Sequence, residues 1–318
     1  MLKRQLGTLF LVTCLILTAI PAALGAQSTI TVEPTSGSAQ TAINSAINSV
    51  ASGATSSNPG VVLLTAGTYK INAPIVLKSN VVLKGAGDST IIYATGSVSN
   101  SDSAPAYIYG SGVSNCDVSN LQFKSSATGI KDGGHGDYRN CIKFKSSTNS
   151  NVHNILFSPY LYGDGVRVSQ STGIDVYNCR IRSGHDAISF LSGSSNCRAY
   201  NNDIEISVNT GIRADNSKNI EIDHNTFYGQ HGSGWCCTEM ESSLSGIDIH
   251  HNIFHDYRGS SGSAAVQPVH ASGSVSVHDN VLWNVGGIKM GKTANNIINP
   301  SDKNTESWVA KGYGYGSM

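Results

Sequence analysis

Short segments with alternating apolar and polar residues recur along the second half of the chain. Each has apolar residues at its first, third and eighth places and an Asn near its sixth, and they repeat every 23 to 28 residues. The clearest are Ile174–Ile181, Cys197–Ile204, Ile220–Phe227, Ile247–Phe254 and Val275–Leu282. A period of two predicts a β-strand with one buried face. One such strand cannot bury its apolar face alone, so the repeats are expected to stack.

A second family of short strands precedes these segments in each repeat. Its members are Cys141–Phe144, Gly165–Val168, Ala187–Phe190 and Gly211–Ala214. Each repeat therefore holds at least two strands with a corner between them, and we call one such turn of the solenoid a coil. This pattern predicts an all-β, single-stranded, right-handed parallel β-helix. Ile43, Ile47 and Val50 have helical spacing within Thr41–Ser52, which predicts a short N-terminal helix that covers the open first coil.

The Asn near the sixth place forms a column through the later coils. Asn202, Asn225, Asn252 and Asn280 occupy it, and Cys179 takes the same place one coil earlier. Asn tolerates the left-handed backbone of a tight corner. Stacked Asn side chains can also hydrogen-bond from coil to coil. The column therefore predicts a repeated corner with such bonds.

The two ends of the chain differ from the repeats. Met1–Arg4 is basic, Leu6–Ile20 is an apolar run too short for a comfortable membrane span, and small residues follow Pro21. We interpret residues 1–26 as a signal peptide, 27–292 as the β-helix domain and 293–318 as a C-terminal cap or tail. The mature chain is then expected to be secreted or held at the cell surface, without membrane insertion after signal cleavage.

Charged residues are sparse, so their clustering carries information. They make up 13% of the chain, with 21 basic and 21 acidic residues, which gives no field that would attract nucleic acid. Outward positions of the upstream strands nevertheless form a charged column of Lys143, Arg167, Ser189 and Arg213, which Glu239 or Glu241 should join in the next coil. Such cations could pair with the carboxylates of an acidic polysaccharide. The alternative is a solvated basic stripe without a ligand.

Two Asp residues occupy equivalent places in adjacent coils, just before the upstream strands. Asp164 lies in Tyr162–Val166, and Asp186 follows His185 in Ser183–Ile188. Two carboxylates one coil apart can divide acid and base work on a glycosidic bond. Asn209 lies one coil farther along.

The chain resembles the pectin-lyase-like superfamily from about residue 35 to about 290. The resemblance begins with Pro59–Tyr69 and its "aGtY" turn and continues with Ile75–Gly87. The polygalacturonases have an Asp before a "G-I-D-I" segment and an Asp pair in "S-G-D-D" one coil later. Asp164 resembles the first of these Asp residues, and Asp186 resembles the second Asp of the pair. The chain departs from that family at His185, where the family has its expected proton donor, and at Asn209–Gly211, where the family has "G-H-G". No Arg-x-Lys follows.

A second resemblance is to archaeal disaggregatase-type β-helix proteins, through Ser183–Asp186 and Val208–Arg213. That resemblance implies a chondroitin-like envelope polysaccharide as the substrate.

These observations predict an exported enzyme that cleaves an acidic, uronic-acid-containing polysaccharide. In a hydrolase, Asp164 and Asp186 would position or activate water and His185 would donate the proton; in a lyase, Arg213 or Lys143 would neutralise the uronate and His185 would abstract the proton. The predicted catalytic residues are Asp164, His185, Asp186 and Arg213, and the predicted substrate-binding residues are Lys143, Arg167, Ser189, Asn209, Glu239 and Glu241. No metal or cofactor is predicted, with calcium reserved for a lyase. The alternative is a non-catalytic surface or adhesion protein that binds carbohydrate.

Overall fold

The computed structural model describes residues 27–95, 106–125, 140–157, 163–182, 185–206, 209–229, 235–257 and 264–315. The predicted signal peptide, residues 1–26, lies outside this part of the chain. Within it, no helix has both the length and the apolar character needed to cross a membrane.

Strands dominate the described residues, with one helix near each end. In chain order the elements are β1 Thr29–Val32, α1 Ala39–Ala51, β2 Gly60–Leu64, β3 Gly67–Ile71, β4 Ile75–Val76, β5 Val81–Lys84, β6 Thr90–Ala94, β7 Ile108–Ser111, β8 Asp117–Ser125, β9 Ile142–Lys145, β10 Thr148–Phe157, β11 Val166–Ser169, β12 Thr172–Tyr177, β13 Arg180–Ile181, β14 Asp186–Leu191, β15 Ser195–Tyr200, β16 Asp203–Glu205, β17 Thr210–Asp215, β18 Lys218–Asp223, β19 Thr226–Tyr228, β20 Cys236–His250, β21 Ile253–Tyr257, β22 Ala264–His278, β23 Val281–Ile288, β24 Lys292–Ala294, β25 Ile297–Ile298 and α2 Thr305–Val309.

All the strand pairs join one coil to the next and all are parallel, as the repeats predicted. The chain is a right-handed parallel β-helix, and each complete coil contributes a strand to three sheets. The first sheet contains β4, β7, β9, β11, β14 and β17 and continues into the first halves of β20 and β22. The second sheet contains β12, β15 and β18, and the third contains β13, β16 and β19. The sequence predicted at least two strands per coil and did not assign the third, which is only two or three residues long in β13, β16 and β19.

The interior is a stack of apolar side chains in register. Val152, Val176, Ala199 and Ile222 follow one another in the second sheet, and all four are fully buried. Each buried side chain of the size of Val or Ile stabilises the fold by about 1.5–3 kcal/mol. The apolar positions that defined the repeats in the sequence are therefore the core.

Helix α1 covers the first coils, as predicted. Its buried face carries Ile43, Ile47 and Val50. Gly60 lies so close to this helix that a Cβ atom there would meet Val50 at 2.7 Å. At the other end, Trp308 of α2 packs in a small apolar cluster with Ile253, Val281 and Trp283.

The Asn column forms a buried ladder. The Asn202 amide nitrogen donates to Asn225 Oδ1 at 2.9 Å, Asn225 to Asn252 at 3.1 Å, and Asn252 to Asn280 at 3.0 Å. The expectation of coil-to-coil bonds is confirmed. The expectation of left-handed backbone at these positions is wrong, because the residue just before each ladder Asn adopts that conformation instead.

Candidate active site

The outer face of the first sheet carries the charged column predicted from the sequence. Its register runs Lys143, Arg167, Ser189, Arg213, Glu239, one residue per coil. Glu241 lies in the neighbouring outward column, opposite Asp215. Glu239 therefore continues the column, and Glu241 flanks it.

Asp164 is fixed immediately before β11. Its side chain is completely buried and accepts hydrogen bonds from Arg167 Nη1 at 2.9 Å and Ser189 Oγ at 2.6 Å. Burial alone would raise the pKa of this carboxyl group. The hydrogen bond with His185 and the positive charge of Arg167 outweigh burial and hold the pKa well below its ordinary value. Asp164 is therefore a permanent anion.

His185 lies between two carboxylates. Its Nδ1 is 3.5 Å from Asp164 Oδ1 and 3.4 Å from Asp186 Oδ1. Burial opposes protonation, but the hydrogen bonds and negative charges of the two Asp residues raise the pKa of His185 to about 10. At neutral pH this side chain is an imidazolium that bridges the Asp residues of adjacent coils.

One amide connects the next two carboxyl groups. Asn209 Nδ2 is 2.7 Å from Asp186 Oδ1 and 3.5 Å from Glu239 Oε2. Asp186 is completely buried and Glu239 nearly so. Burial, followed by the negative charge of Asp186, raises the pKa of Glu239 to about 7, against the opposing effect of Arg213. Glu239 therefore exchanges its proton near neutral pH.

Arg213 is surrounded by carboxylates. It lies 3.8 Å from Asp186 Oδ2, Glu239 Oε1 and Asp215 Oδ2 and forms a closer ion pair with Glu241. Arg167 is bonded to Asp164, and Lys143 is only 1% exposed. The cations of this column are therefore not a solvated basic stripe. They lie in a buried network of alternating charges.

Two clusters of side chains have the spacing of metal ligands. They are Asp164 with His185 and Asp186, and Glu221 with Asp223 and His250, with ligand atoms within 4.8 Å in each. In the first, a metal ion would have to displace the proton of His185, which the two carboxylates hold. In the second, Arg198 donates two 2.7 Å hydrogen bonds to Asp223. Both clusters already contain a compensating cation, and the absence of a metal stays a prediction.

All ten site residues predicted from the sequence lie on this outer face or at its edge. Arg167 and Ser189 were predicted to bind substrate, but each donates a hydrogen bond to Asp164. Asp215 was missed, although it lies two residues after Arg213 in β17 and so points to the same side. The special environment of Glu239 was also missed, because it depends on its burial beside Asp186.

Fold and site together define a parallel β-helix with a carboxylate-rich strip of side chains, from Asp164 to Glu241, along the outer face of one sheet, which we call the groove. The model of the family described as "Rhamnogalacturonase A/epimerase, pectate lyase-like" matches residues 35–235. The chain belongs to this family.

Solved structures show the same fold at low sequence identity. A polygalacturonase from Erwinia carotovora ssp. carotovora is 15% identical, with 85% of this chain and 82% of that chain covered and a TM-score of 0.54. The major allergen from cedar pollen, jun a 1, is 14% identical, with 91% of this chain and 88% of that chain covered and a TM-score of 0.55. A DFA-IIIase from Arthrobacter chlorophenolicus A6 without its lid is 14% identical, with 81% of this chain and 72% of that chain covered and a TM-score of 0.63. None of the curated proteins compared with the chain matches it.

Proposed function

We propose that this protein is an exported glycoside hydrolase that cleaves a polysaccharide with Glu239 as the proton donor and Asp186 as the base. The observation that carries the proposal is the pairing of two buried carboxyl groups through Asn209, one of which has a pKa of about 7. A carboxyl group that is half protonated at neutral pH suits the donor role, because it can deliver a proton to the leaving oxygen.

In this mechanism the polymer lies along the outer face of the first sheet. Glu239 gives its proton to the glycosidic oxygen as the bond from that oxygen to the anomeric carbon breaks. A water molecule attacks the anomeric carbon and transfers a proton to Asp186. Arg213 lies 3.8 Å from both carboxyl groups and would stabilise whichever is ionised. The anionic Asp164 and the cationic His185 hold Asp186 in place.

Elimination is less well supported by the same geometry. A lyase needs a base that abstracts the proton next to the uronate carboxylate, and His185 was the sequence candidate. With a pKa of about 10 and two carboxylates beside it, this imidazole holds its proton at neutral pH. Donation by His185 in a hydrolase is disfavoured for the same reason, which is why we assign the donor role to Glu239.

We infer an acidic polysaccharide as the substrate, with its carboxylates toward one end of the groove. The coil of β9 carries Lys143 and Lys145 in the two outward columns, and because Lys143 is buried, Lys145 is the cation that a ligand would meet there. The coils of β17 and β20 carry the carboxyl groups of Asp215, Glu239 and Glu241 around Arg213. A uronate would meet attraction at the β9 end and repulsion at the β20 end. The printed names of the family and of the polygalacturonase from Erwinia carotovora agree with such a substrate.

The test is incubation of residues 27–318 with a panel of uronic-acid polysaccharides that includes chondroitin-like polymers. Reducing ends and the absorbance of unsaturated uronates are followed together, with Glu239→Gln as the variant. Reducing ends without unsaturation, lost in Glu239→Gln, are the expected result. Unsaturated products would overturn the hydrolase assignment. Binding without cleavage across the panel would favour a non-catalytic carbohydrate-binding protein.

A further inference from the structure

A ridge of left-handed residues runs along the corner between the second and third sheets, away from the groove. Its members have φ values between +51° and +55° and occupy the same place in successive coils: Asn120, Asn154, Asn178, Asn201, His224, His251, Asp279 and Asn295. Asn adopts this conformation more readily than most residues. Backbone geometry therefore explains why Asn occurs here but assigns no role to its side chain.

Three of these residues differ from the other Asn columns of the molecule. The side-chain amides of Asn120, Asn154 and Asn178 border one cavity of about 230 Å³. No hydrogen-bond partner for these amides occurs among the described residues. Other stacked Asn side chains are paired, as in the buried ladder, in Asn115 with Asn80 and in Asn219 with Asn196, both at 2.9 Å. The three amides thus leave donors and acceptors available on the cavity wall.

The other walls complete a polar but uncharged site. Asp88 and Arg180 form an ion pair at the cavity, so they add hydrogen-bonding atoms without net charge. Tyr315 adds an aromatic residue to the lining, whereas the side chain of Ile155 is buried in the core. The backbone of Tyr315 is held by Thr226, whose Oγ1 donates to the Tyr315 carbonyl at 2.7 Å and accepts from its N–H at 2.8 Å. The C-terminal segment is thereby fixed to β19, two coils beyond the coil of Asn178.

We propose that this cavity binds one neutral sugar ring. Carboxamides offer a donor and an acceptor side by side, which matches two neighbouring hydroxyl groups, and an aromatic ring matches the C–H face of a sugar. The cavity is smaller than the roughly 300–1,000 Å³ of drug-sized sites, which fits a single ring. Charge balance at Asp88 and Arg180 gives a uronate no advantage. The site is separate from the groove, so it would hold a polymer or its side branch without cleaving it.

The experiment is a titration of the mature chain with neutral hexoses and 6-deoxyhexoses, and separately with galacturonate, followed by the side-chain amide signals in nitrogen–proton NMR spectra. Asn154→Gly removes the central amide and keeps a residue that accepts positive φ. Asn201→Gly is the matched control, because it makes the same change at the same corner in a coil outside the cavity. We expect at least a tenfold loss of affinity in Asn154→Gly and no loss in Asn201→Gly.

Tyr315→Ala provides a second test that leaves the backbone bonds to Thr226 in place. We expect it to weaken binding of the same neutral sugar. Equal affinity in wild type, Asn154→Gly and Tyr315→Ala would overturn the proposal, as would the absence of amide shifts with every neutral sugar. Tighter binding of galacturonate than of the neutral sugars would overturn the assigned ligand class. Because the groove residues are unchanged in these variants, failure here leaves the hydrolase proposal standing.

Discussion

The outer faces of the first and second sheets are built from the same coils and carry polar columns of equal spacing, yet their side chains behave differently. On the first sheet, Asp164 and Asp186 are completely buried and each faces more than one charged partner. On the second sheet, Glu221 and Asp248 are 43% and 45% exposed, and each meets one His of the next coil. Solvent screens Glu221 and Asp248 but not Asp164 and Asp186. In the groove, unscreened charged partners therefore set the direction of the pKa shifts of Asp164 and His185, whereas burial sets that of Glu239.

The second face is also stabilised by stacked rings. His153, Tyr177 and Tyr200 follow one another in register, with ring centroids 4.7 and 4.8 Å apart. His250 and His278 stack in the same way at 5.2 Å. Because the faces of these rings are stacked against one another, the rings contribute packing and leave no open surface for a ligand.

The largest expected contrast between the two faces is in catalysis. Asp186→Asn should lower kcat about 10²- to 10⁴-fold, because it removes the proposed base while keeping the shape of the side chain. Asp248→Asn makes the same change on the second face and should leave kcat within about twofold. Reducing-end assays on the active polysaccharide measure both. Full activity in Asp186→Asn would contradict the assignment.

The next largest expected effect is on the pH dependence of stability, because the pKa of Glu239 is raised in the folded protein. Its folded pKa of about 7 lies above the ordinary 4.5, so the folded protein holds a proton that the unfolded chain has lost. Stability should therefore fall as the pH rises from about 4.5 to 7. Glu239→Gln should remove this loss and be more stable than wild type at pH 8 by roughly 2 kcal/mol. Urea unfolding at pH 4 and pH 8 tests this.

The control for this comparison is Glu221→Gln, the same substitution on the second face, which should leave kcat unchanged. Activity of the wild type should also decline above pH 7, as Glu239 loses the proton that it donates. A rate that rises steadily to pH 9 would show that another group is the acid.

His185 tests the bridging cation. Its folded pKa of about 10 lies above the ordinary 6.5, so its contribution to stability is complete below pH 6.5 and is lost as the pH rises through about 10. His185→Gln should lower the free energy of unfolding at pH 6 by about 2 kcal/mol, because Asp164 and Asp186 then face each other without their cation. The difference between variant and wild type should shrink toward pH 10. A difference that does not change with pH would contradict the imidazolium bridge.

The smallest effect is expected from the ring stack. Tyr177→Leu should cost about 1 kcal/mol of unfolding free energy, since it breaks two stacking contacts but keeps an apolar side chain. Activity should not change. Urea unfolding together with the reducing-end assay measures both, and a tenfold loss of activity would show that the two faces are coupled.

The period of the sequence was enough to predict the coils, the N-terminal helix and the outward column from Lys143 to Glu239, because strand alternation assigns each residue to a face. The prediction of at least two strands per coil left the third strand unassigned, since runs as short as Arg180–Ile181 carry no period of their own. The partners of Arg213 and the pKa of Glu239 depend on how deeply the groove is covered. Spacing along the chain gives the order of the side chains but not the solvent around them.

The buried Asn ladder gives the solenoid two mechanically different parts. It begins where the Cys179 N–H donates to Asn202 Oδ1 and ends at Asn296. Among the described residues, the earlier coils are joined by a column of buried Ser hydroxyls, such as Ser147 and Ser171, instead of Asn amides. Under tension applied to the two ends, the coils before Cys179 should peel away one at a time at low force. The coils from Cys179 onward should then resist together and rupture at a higher force. The groove spans the boundary between these two parts, with Asp164 on the weaker side and Glu239 on the stronger.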